Sequence, residues 1–102
     1  MNPELHQLTL VFPDELEAAV LDALGAVAPD QPYTLLHAAG HGRDFATASS
    51  RERVRGQVGR RALWLVAPPA ELQALLGALR EHIRSRDLVW WTAPVGAFGD
   101  FA

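Results

Sequence analysis

From Gln7 to Phe12 the chain alternates Leu8, Leu10 and Phe12 with Gln7, Thr9 and Val11, a period of two that predicts a strand. The period then changes. Leu16, Ala19, Val20, Ala23 and Leu24 recur at helical spacing, so a helix is predicted from Asp14 onward. Asp14 followed three residues later by Glu17 makes a capping-box-like start, and Gly25 offers a stop. The same order returns in the second half. Ala62-Leu63-Trp64-Leu65-Val66 is an apolar run, Pro68-Pro69 interrupts it, and Leu72, Leu75, Leu76, Leu79 and Ile83 mark a second amphipathic helix. Leu10-Val11 and Pro13 answer to Leu65-Val66 and Pro68 at one offset, and Glu15-Leu16 answers to Glu71-Leu72 one residue further on. Tyr33–Ala39 supplies a strand closing the first half and Leu88–Val95 one closing the second.

Two β-α-β units in succession predict an α+β fold of the ferredoxin-like type, βαββαβ, with a four-stranded antiparallel sheet and both helices on one face. One sheet face is then left without helices, and the sequence makes it apolar. Trp90 and Trp91 are adjacent on one strand and must point to opposite faces, while Ala62, Trp64 and Val66 alternate with Leu63 and Leu65 on another. One of the paired tryptophans can enter the helix–sheet core, and the other must face water or a second subunit. A sheet apolar on both faces is usually covered on both, which points to a homo-oligomer packed through the open face.

Composition narrows the class. The 102 residues, 49% hydrophobic and 21% charged, suit one domain spanning 1–102. A chain of this length buries only about 60–70% of the surface it exposes when unfolded, so assembly would add to its core. The absence of cysteine excludes a disulfide framework, a thiolate metal site and a cysteine nucleophile. Apolar stretches are broken well before the roughly 18 residues of a spanning helix, and Met1–His6 lacks the pattern of a signal peptide. These features point to a cytoplasmic protein with no direct membrane insertion.

The charge is unevenly spread. Every basic residue is Arg, and six of the nine (Arg43, Arg51, Arg53, Arg55, Arg60 and Arg61) fall in one segment opposed only by Asp44 and Glu52. The guanidinium fork matches carboxylate and phosphate oxygens in pairs, so this segment suits an anion or an acidic partner, although a solvated loop carries the same composition. Nucleic acid is not expected: the chain carries a net charge of −3, and Phe45 alone does not supply the aromatic interleaving that base stacking needs. Catalysis is not expected either. Ser49 and Ser50 lie in a polar segment without nucleophile-elbow glycines, and no carboxylate pair falls where strand ends would bring it together.

Specific residues carry a family resemblance. Gly40-His41-Gly42-Arg43 resembles the Gly-x-Gly-Arg entry to the T-loop of PII-like signalling proteins, and Arg60-Arg61-Ala62-Leu63-Trp64 resembles the basic start of the strand that leaves it. Glu52-Arg53-Val54-Arg55-Gly56, Trp90-Trp91-Thr92-Ala93-Pro94-Val95 and Phe98-Gly99 resemble a short PII-like family of unknown function often encoded beside heavy-metal efflux pumps. The similarity spans nearly the whole chain. It implies a homotrimer in which a T-loop-like segment, about 40–57, regulates a partner such as a membrane transporter or efflux-pump component. Arg51, Arg53 and Arg55 would present that loop to the partner. A small anionic effector would bind at the inter-subunit cleft, with Gly42 allowing close backbone approach and Gly40, His41, Arg43 and Arg60 around it. One departure bears on the effector: the link Arg84-Ser85-Arg86-Asp87 lacks the glycines that grip nucleotide phosphates in nitrogen-regulating PII proteins. AMP or ADP therefore fits the resemblance better than ATP, with bicarbonate or a metal as a further ligand.

A second reading is a divalent-metal-binding accessory protein of a metal-efflux system. His37 and His41 are four apart and would share one face of an unbroken strand, yet a tight imidazole site needs about three protein ligands, so His6 or His82 would have to join them.

Overall fold

The computed structural model describes residues 4–40 and 58–102. Six principal segments follow the predicted order: β1 (Leu5–Pro13), α1 (Glu17–Val27), β2 (Thr34–Gly40), β3 (Val58–Ala67), α2 (Pro69–His82) and β4 (Val89–Val95). The four strands form one sheet in the order β2-β3-β1-β4, with every neighbouring pair antiparallel. This is the ferredoxin-like α+β arrangement, and it leaves β2 and β4 as edges.

The alternation in β1 sets the layering. Leu8, Leu10 and Phe12 are fully buried, and they stand in register with Leu65, Leu63 and Arg61 of β3. Leu35 of β2 continues the Leu10–Leu63 row. Against this face pack Val20, Ala23 and Leu24 of α1 and Leu72, Leu75, Leu76 and Leu79 of α2, a spacing of three and four that gives each helix one apolar stripe. Burying a leucine side chain in such a layer is worth about 1.5–3 kcal/mol, so these rows supply the main driving force for the fold.

The first helix departs from its predicted limits. Asp14–Leu16 forms a single 3-10 turn, α1 begins at Glu17, and neither Pro13 nor Leu16 makes a side-chain cap. The expected Asp14–Glu17 capping box is not made. The Glu17 carboxylate is engaged elsewhere, accepting a hydrogen bond from Arg61 Nε at 2.5 Å, which ties the first residue of α1 to β3. Gly25 does not stop the helix. It continues to Val27, where the Ala28 N–H donates to the Leu24 carbonyl and Pro29 follows. The second helix starts on Pro69, which has no N–H to leave unpaired in the first turn.

The helix-free face is apolar, as the alternation required. Thr34, Trp64, Thr9 and Trp91 form one row across all four strands, with Leu36, Ala62, Val11 and Val89 in the next. Trp64 and Trp91 are 42% and 51% exposed, while Thr9 between them is only 4% exposed. Trp90 shares the helix side with Leu10, but its strand is an edge and it stays 37% exposed, with the Arg80 guanidinium over its ring at 5.6 Å from the centroid. No helix among the described residues is long and apolar enough to cross a membrane.

Candidate functional site

The two ends of the sheet carry different chemistry. At one end β2 finishes on Gly40 and β3 begins at Val58, in register with each other. Beside them Arg60 and Arg61 point to opposite faces. Arg60 faces the helix-free side, aligned with Pro13 and Ala38, and is 9% exposed. Arg61 faces the helices, aligned with Phe12 and His37, and is held by Glu17. Asp14 closes over this end from the turn after β1: a Cβ on Gly59 would lie 2.9 Å from its Oδ2. Glycine at 59 thus lets the turn and the start of β3 approach closely.

Of the sequence-predicted ligand residues, Gly40 is the last residue of β2, opposite Val58, and Arg60 lies near the start of β3, opposite Ala38. His41, Gly42 and Arg43 lie outside the described residues, as do the partner-loop arginines Arg51, Arg53 and Arg55. His37 is exposed on the edge strand, on the helix side, and its proposed companion His41 is outside the described residues. The other two histidines have local partners: His6 Nε2 is 3.1 Å from Glu4 Oε2, and His82 Nδ1 is 3.0 Å from the Ala78 carbonyl. Among the described residues no three His, Asp or Glu side chains converge as a metal site would require.

The opposite end of the helix-free face holds a cleft that single motifs in the sequence do not announce. Its volume is about 460 Å³, and Tyr33, Trp64 and Phe98 stand around it with Gln7, Gln31 and Thr34. All three aromatic rings are exposed, so their faces are available for stacking. Gln31 is fixed across the gap by its amide, which donates to the Pro32 and Val66 carbonyls at 3.0 and 3.3 Å. Among the described residues no charged side chain lines this cleft, and its chemistry suits a flat, neutral ring with polar edges. Tyr33, at the entry to β2, and Phe98, after β4, are far apart in sequence, and only strand pairing brings them to Trp64. Their one early sign is an aromatic residue placed at a strand limit.

Comparison with known proteins decides the family. The model of the protein family of unknown function DUF3240 matches residues 2–102. The chain belongs to that family. A DUF3240 protein from Shewanella baltica OS155 shares the fold with a TM-score of 0.74 and 20% identity, covering 100% of each chain. A nitrogen-regulatory PII-like protein from Thiomonas intermedia K12, solved with ADP, AMP and bicarbonate bound, superposes with a TM-score of 0.68 at 13% identity, over 96% of this chain and 97% of that one. The PII protein of Arabidopsis thaliana, solved with citrate, gives 0.66 at 14% identity, over 92% of this chain and 79% of that one. No curated protein matches the chain. The fold of this DUF3240 chain is thus similar to that of PII-like proteins.

Proposed function

We propose that this DUF3240 protein is a non-catalytic, PII-like regulator of the cytoplasm. It assembles as a homotrimer through the helix-free face and binds an adenine nucleotide, AMP or ADP, between subunits. Its segment 40–57 then acts as the T-loop, with Arg51, Arg53 and Arg55 facing a partner such as a transporter or efflux-pump component.

The observation that carries this reading is the separation of the two ends of the sheet. The aromatic cleft opens at Thr34, and the loop entry at Gly40 is six strand residues away, about 20 Å at the rise of a strand. A mononucleotide that stacks its base in the cleft does not reach the Gly40 end of the same subunit. Nearest the cleft the floor between the two is apolar, made by Trp64, Leu36, Ala62 and Val11, and Arg60 follows beside Ala38, next to the loop entry. Packing of a second copy against this face would set one subunit's cleft beside another subunit's loop entry, and Gly42 and Arg43 would then meet the phosphate while Tyr33, Trp64 and Phe98 hold the base. The Thiomonas relative, with ADP and AMP bound, supports the ligand class. The α2–β4 link, where the Leu88 N–H closes a turn on the Ser85 carbonyl, contains no glycine for a triphosphate grip, which favours the shorter nucleotides.

Calorimetric titration of the purified protein with AMP, ADP, ATP and divalent metals tests the reading. AMP or ADP should bind more tightly than ATP, and Tyr33→Ala should weaken binding. Tight metal binding with no nucleotide binding would replace this reading by the metal-accessory one.

A further inference from the structure

On the helix side of the sheet, the end of α2 and the edge strand β4 enclose a cleft of about 350 Å³ lined by Arg80, Ile83, Arg84, Ser85, Leu88 and Trp90. Arg80, Ile83, Leu88 and Trp90 also border a void of about 40 Å³ that reaches the core leucines Leu10, Leu76 and Leu79. The cleft therefore has a cationic, aromatic rim and an apolar interior.

Its arginines differ from Arg61. Neither Arg80 nor Arg84 has a carboxylate partner among the described residues, although Glu81 and Asp87 are close in sequence. The Arg80 guanidinium lies over the Trp90 ring, a placement that restricts the side chain while leaving its N–H groups free to donate. The Ser85 Oγ accepts the Asp87 N–H at 3.1 Å and keeps its own proton for a ligand. The carbonyl end of α2 opposes an anion here with about half an elementary charge, and two full guanidinium charges outweigh it.

We propose that this cleft binds a small organic carboxylate with a compact apolar body. The carboxylate is held by Arg80 and Arg84, and the body packs on Ile83, Leu88 and Trp90 toward the void above Leu10. The site lies on the opposite side of the sheet from the aromatic cleft assigned to the nucleotide base and does not depend on that assignment.

Hexanoate is the test probe, read by the three indole N–H signals of isotopically labelled protein, with Trp90→Phe used only to assign the Trp90 signal. Hexanoate should move that signal saturably at millimolar concentration. Acetate and 1-hexanol, which carry the head or the body alone, should each bind at least tenfold more weakly. Arg84→Gln, at an exposed position, should weaken hexanoate at least fivefold without changing the unfolding midpoint. A Trp90 signal that does not saturate, equal binding of 1-hexanol, or unchanged affinity in Arg84→Gln would overturn the proposal. So would AMP moving the Trp90 signal while hexanoate fails to compete.

Discussion

Trp64 on β3 and Trp91 on β4 stand on either side of Thr9, in one row across the face of the sheet that no helix covers. Two half-exposed indoles beside the neighbouring row of Val11, Ala62 and Leu36 make a continuous apolar surface, the kind that marks an interface. Light scattering should give three times the chain mass. Trp91→Glu places a charge in the row and should shift the protein to monomer at micromolar concentration, with its circular dichroism retained because the helix-side core is untouched. A wild-type monomer would remove the assembly.

The Arg61–Glu17 pair is the one ion pair among the described residues that links a helix to the sheet. Its groups are partly buried, and a charged hydrogen bond in such a setting contributes about 1–2 kcal/mol after solvent screening. A double-mutant cycle of Arg61→Gln and Glu17→Gln in urea should return a coupling energy of about 1 kcal/mol. Additive effects would show that the contact does not stabilise the fold.

At the ligand, Arg43→Ala should weaken AMP or ADP binding by about 1.5–3 kcal/mol, the range for a hydrogen bond to a charged group. Gly42→Val should do similar damage by blocking backbone approach. Both variants should stay trimeric. Unchanged affinity in Arg43→Ala and in Arg60→Ala alike would move the anion site elsewhere.

The histidines separate the two functional readings. His37→Ala should leave nucleotide binding intact, and for His37→Ala and His41→Ala alike calorimetry should detect no loss of a divalent-metal site. Metal binding abolished by either change, with Arg43→Ala neutral, would establish the accessory role instead.

Gly77 lies in the middle of α2, exposed, and a Cβ there would meet nothing within 4 Å. Gly77→Ala should stabilise the protein by about 0.5–1 kcal/mol, because alanine loses less backbone entropy in a helix. Thermal unfolding checks it, and a lower midpoint would mean that the position is constrained by a contact outside this chain.

Periodicity alone determined the order of strands and helices, the buried faces of β1, β3 and α2, and the apolar character of the open face. Side-chain direction follows from local geometry, with a period of two in a strand and 3.6 in a helix, so Leu8, Leu10 and Phe12 could be placed without knowing their neighbours. The opposite directions of Trp90 and Trp91 were legible for the same reason. What pairing decided was not legible. Glu17 read as part of a capping box, but the strand register delivers Arg61 to it, and a charged donor outcompetes a local backbone one. Gly25 read as a helix stop, yet Leu24 and Val27 pack against the core and carry the helix past it. Tyr33, Trp64 and Phe98 are separated by some thirty residues each, and the cleft they form exists only because β3 lies between the two ends of the chain's path across the sheet. Sequence spacing encodes which face a side chain takes, whereas the partners it meets there depend on which strands lie side by side.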